Sequence, residues 1–140
     1  MLNRVIQEVF QTHSDTICRN NSGYHETKTF SSAGILELRT YRLKPGVRDA
    51  FHRLLVDETL PLVRASGIKV VRSEPSLHDD DSYILIRAFD SLERRVEQEE
   101  AFYSSELWLT KYDAKVMDMI ESYITAVIDV DMETIHRLSL

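Results

Sequence analysis

Two segments, ILELRTYRL at 35–43 and YILIRAF at 83–89, constrain the fold more than anything else in the chain. Both alternate with a period of two, as strands do. Both also carry large apolar residues on each face, so a sheet built from them needs cover on both sides. In the first segment Ile35, Glu37, Arg39, Tyr41 and Leu43 share one face, and Leu36, Leu38, Thr40 and Arg42 share the other. In the second, Ile84, Ile86 and Ala88 form an apolar face, and Tyr83, Leu85, Arg87 and Phe89 a mixed one.

The elements around them follow from local signals. Lys44-Pro45-Gly46 reads as a turn, with proline fixing the backbone and glycine permitting positive φ. A helix is expected over 47–65, with Val47, Ala50, Phe51, Leu54, Leu55 and Leu62 as its buried stripe. Pro61 should kink or shorten it, and Gly67 should stop it. A second strand starts at 68–71, and 78–82 forms a turn. Ser91 is placed to cap a helix that runs to about residue 100. A short helix carries Tyr103 and Trp108, another reaches about residue 117, and 122–129 is the last strand. The order strand, helix, strand, strand, helices, strand is that of a ferredoxin-like α+β fold, an antiparallel sheet with helices on one face.

That layout assigns the apolar strand faces to the helices and leaves the mixed faces open. Tyrosines, phenylalanine and leucines on an open face call for a partner surface. A two-fold homodimer packing sheet against sheet supplies one. The charges on the mixed face also need partners. Glu37 paired with Arg39 or Arg87 is one answer, a structural ion pair. A polar pocket in which the arginines hold an anionic or carbonyl-bearing ligand is the other.

Length fits one compact domain. The expected division is a leader at 1–33 (a short amphipathic helix bearing Leu2, Val5, Ile6, Val9 and Phe10, then a flexible linker), a domain at 34–130 and a loosely docked tail at 131–140. A net charge of −6 argues against a nucleic-acid surface. No apolar run approaches a membrane span. Cys18 is the single cysteine, which fits a reducing compartment and a cytoplasmic setting. The amphipathic start leaves mitochondrial targeting as the alternative in a eukaryote.

The stretch 36–128 resembles the NIPSNAP family. The matching segments are ELRTYRLKPG at the first strand, PLVRASGIKVV after the first helix, and YILIRAFDSLERR followed by AFYSSELW. The resemblance implies a dimeric α+β barrel, two ferredoxin-like subunits whose sheets face one another. Animal members are associated with mitochondria, vesicle traffic and protein interaction. Similar folds serve haem-degrading and quinone monooxygenases and isomerases, so the fold alone does not choose a function.

No motif imposes a chemistry. His13, His25, His52, His78 and His136 show no zinc-ligand spacing, so no metal is expected. His78-Asp79-Asp80-Asp81 lacks the spaced ligands of a calcium loop. His52, with Arg48 and Asp49 near it, lies off the centre of the helix stripe, which disfavours it as a general base; haem ligation by His52 or His78 is a third, weaker alternative. No Gly-x-Ser-x-Gly elbow or phosphate loop is present. Ser104 or Ser105 reads as the cap of the helix bearing Trp108. Two functions lead. The first is a module binding a small molecule or a protein. The second is a cofactor-independent monooxygenase or isomerase acting on a hydrophobic aromatic or carbonyl substrate. For a small hydrophobic ligand the candidate walls are Glu37, Arg39, Tyr41, Tyr83, Arg87, Tyr103 and Trp108, with no cofactor called for.

Overall fold

The computed structural model describes residues 33–139; residues 1–32, which hold the expected leader helix and Cys18, lie outside the described residues. Strand β1 is Ala33–Leu43, β2 Lys69–Pro75, β3 Ser82–Phe89 and β4 Ile120–Asp131. They form one antiparallel sheet in the order β2-β3-β1-β4. Helices α1 (Arg48–Leu54), α2 (Leu60–Ala65), α3 (Leu92–Tyr103) and α4 (Asp113–Met119) cover one face, and α5 (Met132–Leu138) follows β4. This is the expected ferredoxin-like α+β arrangement. No helix among the described residues is long and apolar enough to cross a membrane.

The helix expected over 47–65 is real but not uniform. A π-helical turn, Leu55–Thr59, separates α1 from α2. Pro61 falls within the first two positions of α2, where a missing N–H costs least. A second π-helical turn, Trp108–Tyr112, precedes α4. Gly46 and Gly67 take positive φ at the two expected breaks, 79° and 94°. Ser91 caps α3 by accepting the Arg94 N–H at 3.0 Å.

The two faces of the sheet are the reverse of the expectation. Ile35, Glu37, Arg39, Tyr41, Leu43, Tyr83, Leu85, Arg87 and Phe89 are all buried, and the apolar core beneath the helices is built on this mixed face. Long side chains reach from the sheet to the helices, and α3 brings Arg95 and Glu99 to pair with the charges among them. The face bearing Ile84 and Ile86 is the open one. Ile124 and Ile128 on β4 are 75% and 47% exposed there.

One end of that open face is covered after all. Residues 131–140, expected as a loose tail, contain α5, whose Ile135 is 1% exposed and packs with Leu36, Val71 and Ala88. Asp131 caps α5 by accepting the Thr134 N–H at 2.7 Å. Gly34 makes the seat. A Cβ there would stand 2.7 Å from Ile135 Cδ1 and 2.8 Å from Met132 Sδ.

Candidate functional site

Five charged side chains meet between the sheet and α3: Glu37 and Arg39 from β1, Arg87 from β3, and Arg95 and Glu99 from α3. All are buried. Arg87 Nε and Nη2 donate to Glu37 Oε1 at 2.9 and 2.5 Å, Nη2 also to Glu99 Oε1, and Nη1 to the Tyr103 hydroxyl at 2.9 Å. Arg95 Nε and Nη2 both reach Glu37 Oε2 at 2.6 Å, and Nη2 lies 3.3 Å from Glu99 Oε2. Burial opposes the charge on Glu37, but Arg87, Arg39 and Arg95 hold its carboxyl well below the usual range. Glu99 goes the other way. Burial, together with the neighbouring Glu37 carboxylate, pushes it up to about 7 against the pull of Arg87.

Arg39 is held differently. Its nearest carboxylate oxygens are those of Glu37 and Glu99, at 3.6 and 3.7 Å, outside hydrogen-bond range. Its Nε is buried with no hydrogen-bond partner. The guanidinium lies 5.3 Å from the centre of the Tyr123 ring. Beside it, burial drives the Tyr41 phenol up to about 12 despite the pull of Arg39, so Tyr41 stays protonated.

Arg39 lines a partly open cavity of about 40 Å³ together with Tyr41, Phe51, Thr59, Tyr103, Trp108 and Tyr123. Space of that size admits water. Leu55 and Thr59 bring one π-helical turn to the cavity, and Trp108 brings the other. Such turns often mark functional positions. The two are joined where the Tyr112 hydroxyl meets Glu58 Oε2 at 3.1 Å. Trp108 is also a wall of an outer groove of about 360 Å³, shared with Leu62, Ala101, Phe102 and Leu107.

The seven residues singled out in the sequence divide into three sets. Glu37, Arg87 and Tyr103 belong to the charge network. Arg39, Tyr41, Tyr103 and Trp108 surround the cavity. Tyr83 stands apart from both: its hydroxyl meets His52 Nδ1 at 2.7 Å and Ser73 Oγ at 2.8 Å, and its ring packs edge-on against Phe51. Arg87, one of the arginines expected to hold a ligand, is spent on two carboxylates and a phenol. Ser105 accepts the Trp108 N–H at 3.3 Å, the expected cap. Among the described residues no group of His, Cys, Asp or Glu is placed to hold a metal ion.

Arg95 and Glu99 were not legible as site residues. The inward stripe of α3 is Arg95, Glu99, Phe102 and Tyr103, while Leu92 is exposed. An apolar-stripe argument therefore turns this helix the wrong way. The available signal was spacing, since residues 95, 99 and 102 fall on one helical face.

No protein-family model matches the sequence, and no curated protein matches it. Solved structures do. A NIPSNAP family protein of unknown function from Agrobacterium tumefaciens is similar at 25% identity, covering 73% of this chain and 92% of that one, with a TM-score of 0.67. An uncharacterised NIPSNAP domain protein from Burkholderia xenovorans is similar at 19% identity, covering 67% and 91%, with a TM-score of 0.61. A Caulobacter crescentus protein provisionally named an antibiotic biosynthesis monooxygenase shares the fold at 12% identity, covering 73% and 92%, with a TM-score of 0.52. The resemblance carried by ELRTYRLKPG and AFYSSELW thus extends to three dimensions, and this chain is similar to the NIPSNAP family in both sequence pattern and fold.

Proposed function

We propose that this chain is a dimeric binding module that takes a small apolar ligand into the cavity between sheet and helices, with Arg39 as the polar anchor. The observation that carries this reading is the buried Arg39 Nε without a hydrogen-bond partner, in a cavity walled by Tyr41, Phe51, Trp108 and Tyr123. A buried unsatisfied donor costs about 1–3 kcal/mol. An acceptor brought in by a ligand recovers that cost, and the aromatic walls suit an apolar body. The outer groove beyond Trp108 supplies the added room, so the ligand enters by displacing that ring. Arg39, Tyr41, Tyr103 and Trp108 are the ligand walls on this reading; Glu37 and Arg87 position Tyr103 and hold the sheet to α3.

The dimer uses the open sheet face, where exposed Ile124 and Ile128, with half-buried Ile84 and Ile86 beside them, form an apolar patch of the kind that marks an interface. This is the opposite face from the one that the sequence suggested. One cysteine in the sequence supports a reducing, cytoplasmic setting.

Trp108 is the only tryptophan and lines the cavity, so its fluorescence tests the reading. Small aromatic carbonyl compounds should shift it saturably in the full chain but not in Arg39→Gln. A panel that leaves it unmoved overturns the proposal.

An enzymatic reading draws on the same cavity. Tyr41, kept protonated by burial, and Arg39 both line it, and each can donate to a carbonyl oxygen, the kind of contact that stabilises an enolate. Oxygen uptake on a quinol panel, lost in Arg39→Gln, would select this reading over simple binding.

A further inference from the structure

The charge network does not balance. Arg39, Arg87 and Arg95 contribute three positive charges, and Glu37 and Glu99 at most two negative ones, all in a buried cluster. Arg87 and Arg95 sit within hydrogen-bond range of the carboxylates. Arg39 does not, at 3.6 and 3.7 Å. The excess positive charge therefore lies on the one guanidinium that borders the cavity. The groups facing it are Glu37 and Tyr41 from β1, Arg87 from β3, Glu99 and Tyr103 near the end of α3, and Tyr123 from β4. From the two π-helical turns and α4 come Leu55, Thr59, Trp108 and Val116, none of them ionised at neutral pH.

We propose that the cavity selects a monoanionic aromatic ligand, an aromatic carboxylate, which docks on Arg39 and binds together with one proton taken up by Glu99. This rests on the cavity being the ligand site. A carboxylate matches the guanidinium in shape and takes the place of the Glu99 charge beside it. Glu99 and the incoming anion compete for the same Arg39. Glu99 is the less firmly held carboxylate: Arg87 donates to its Oε1, but Arg95 Nη2 stands 3.3 Å from its Oε2 without an aligned hydrogen bond, while both Glu37 oxygens are gripped. Burial already places Glu99 at about 7, so the proton comes from solvent near neutral pH. The bound complex then holds three positive charges against Glu37 and the ligand, with Glu99 neutral.

The test uses the full chain, with benzoate as the probe and benzamide as its uncharged counterpart, read by Trp108 fluorescence. Benzoate, ionised above about pH 4 like any carboxylate, should bind about tenfold tighter at about pH 6 than at about pH 8. Benzamide should bind more weakly and without pH dependence. Glu99→Gln, fixed in the neutral form, should hold benzoate equally at both pH values. Should that variant fail to fold, calorimetry of the native protein in two buffers of different ionisation enthalpy measures the proton directly. About half a proton per benzoate is expected near pH 7. If benzamide binds as tightly as benzoate, the cavity is a ligand site but the anion proposal fails. A pH-independent benzoate affinity, or no proton uptake, removes Glu99 from it. If neither compound binds, both the proposal and the reading beneath it fall.

Discussion

Glu37 and Arg87 stand directly opposite each other across β1 and β3, and Arg87 Nε and Nη2 close on the same oxygen, Glu37 Oε1, at 2.9 and 2.5 Å. Arg95 takes the other oxygen from α3. One carboxylate thus ties two strands' worth of register to the helix above them. The pair is an instance of cross-strand charge complementarity moved to the inside of the protein, where breaking it is costly.

Removing Glu37 should show this. Glu37→Ala leaves Arg87 and Arg95 buried without their main partner, and loss of one member of a buried ion pair costs about 3–5 kcal/mol. Denaturant unfolding of the variant should give a midpoint far below that of the parent. A change under about 1 kcal/mol would mean that Glu99 alone satisfies both guanidiniums.

The two carboxyls should pull stability in opposite directions with pH. Glu37, depressed in the folded state, contributes stability above the unfolded carboxyl value; that contribution is lost as pH falls through its folded value, well below 4.5. Glu99 is raised from 4.5 to about 7, so the folded chain binds the extra proton. Its contribution is fully present below about pH 4.5 and declines as pH rises to about 7, by about 3 kcal/mol if the shift is complete. Unfolding measured between these pH values should show the decline in the native protein and lose it in Glu99→Gln. Equal slopes in the two proteins would show that Glu99 does not carry the proton.

Tyr83 is a third case, polar yet unconnected to the network. Its hydroxyl joins His52 on α1 to Ser73 on β2. Tyr83→Phe keeps the ring contact with Phe51 and leaves both partners short of one bond, at a cost of about 1–3 kcal/mol. Because the hydroxyl lies outside the cavity lining, benzoate affinity should not change with it. A shift in affinity would place Tyr83 in the site.

The open sheet face can be tested without disturbing the core. Ile124 is 75% exposed in the single chain, so Ile124→Asp should leave the unfolding of a monomer almost unaltered. In a dimer that buries this face, it places a charge in an apolar interface. Light scattering should then read a dimer for the parent and a monomer for the variant. A monomeric parent at micromolar concentration would remove the dimer from the proposal.

The sequence by itself determined the strands, the breaks and the resemblance to a family. Alternation in 35–43 and 83–89, Pro45-Gly46, Ser91 and Gly67 are local signals, and each acts within a few residues of itself. What only the tertiary structure decided is which side of the sheet is inside. Both faces carry apolar residues, so alternation cannot choose between them, and the purely apolar face was the natural one to bury. The choice is made by α3, which contributes Arg95 and Glu99 from a stripe that looks polar on paper. Those two side chains pair with Glu37 and Arg87, and the charged face is the buried one. They also leave Arg39, beside the cavity, with its carboxylates beyond hydrogen-bond range at 3.6 and 3.7 Å. That outcome depends on side chains 58 residues apart meeting across the core, a distance over which no local pattern carries information.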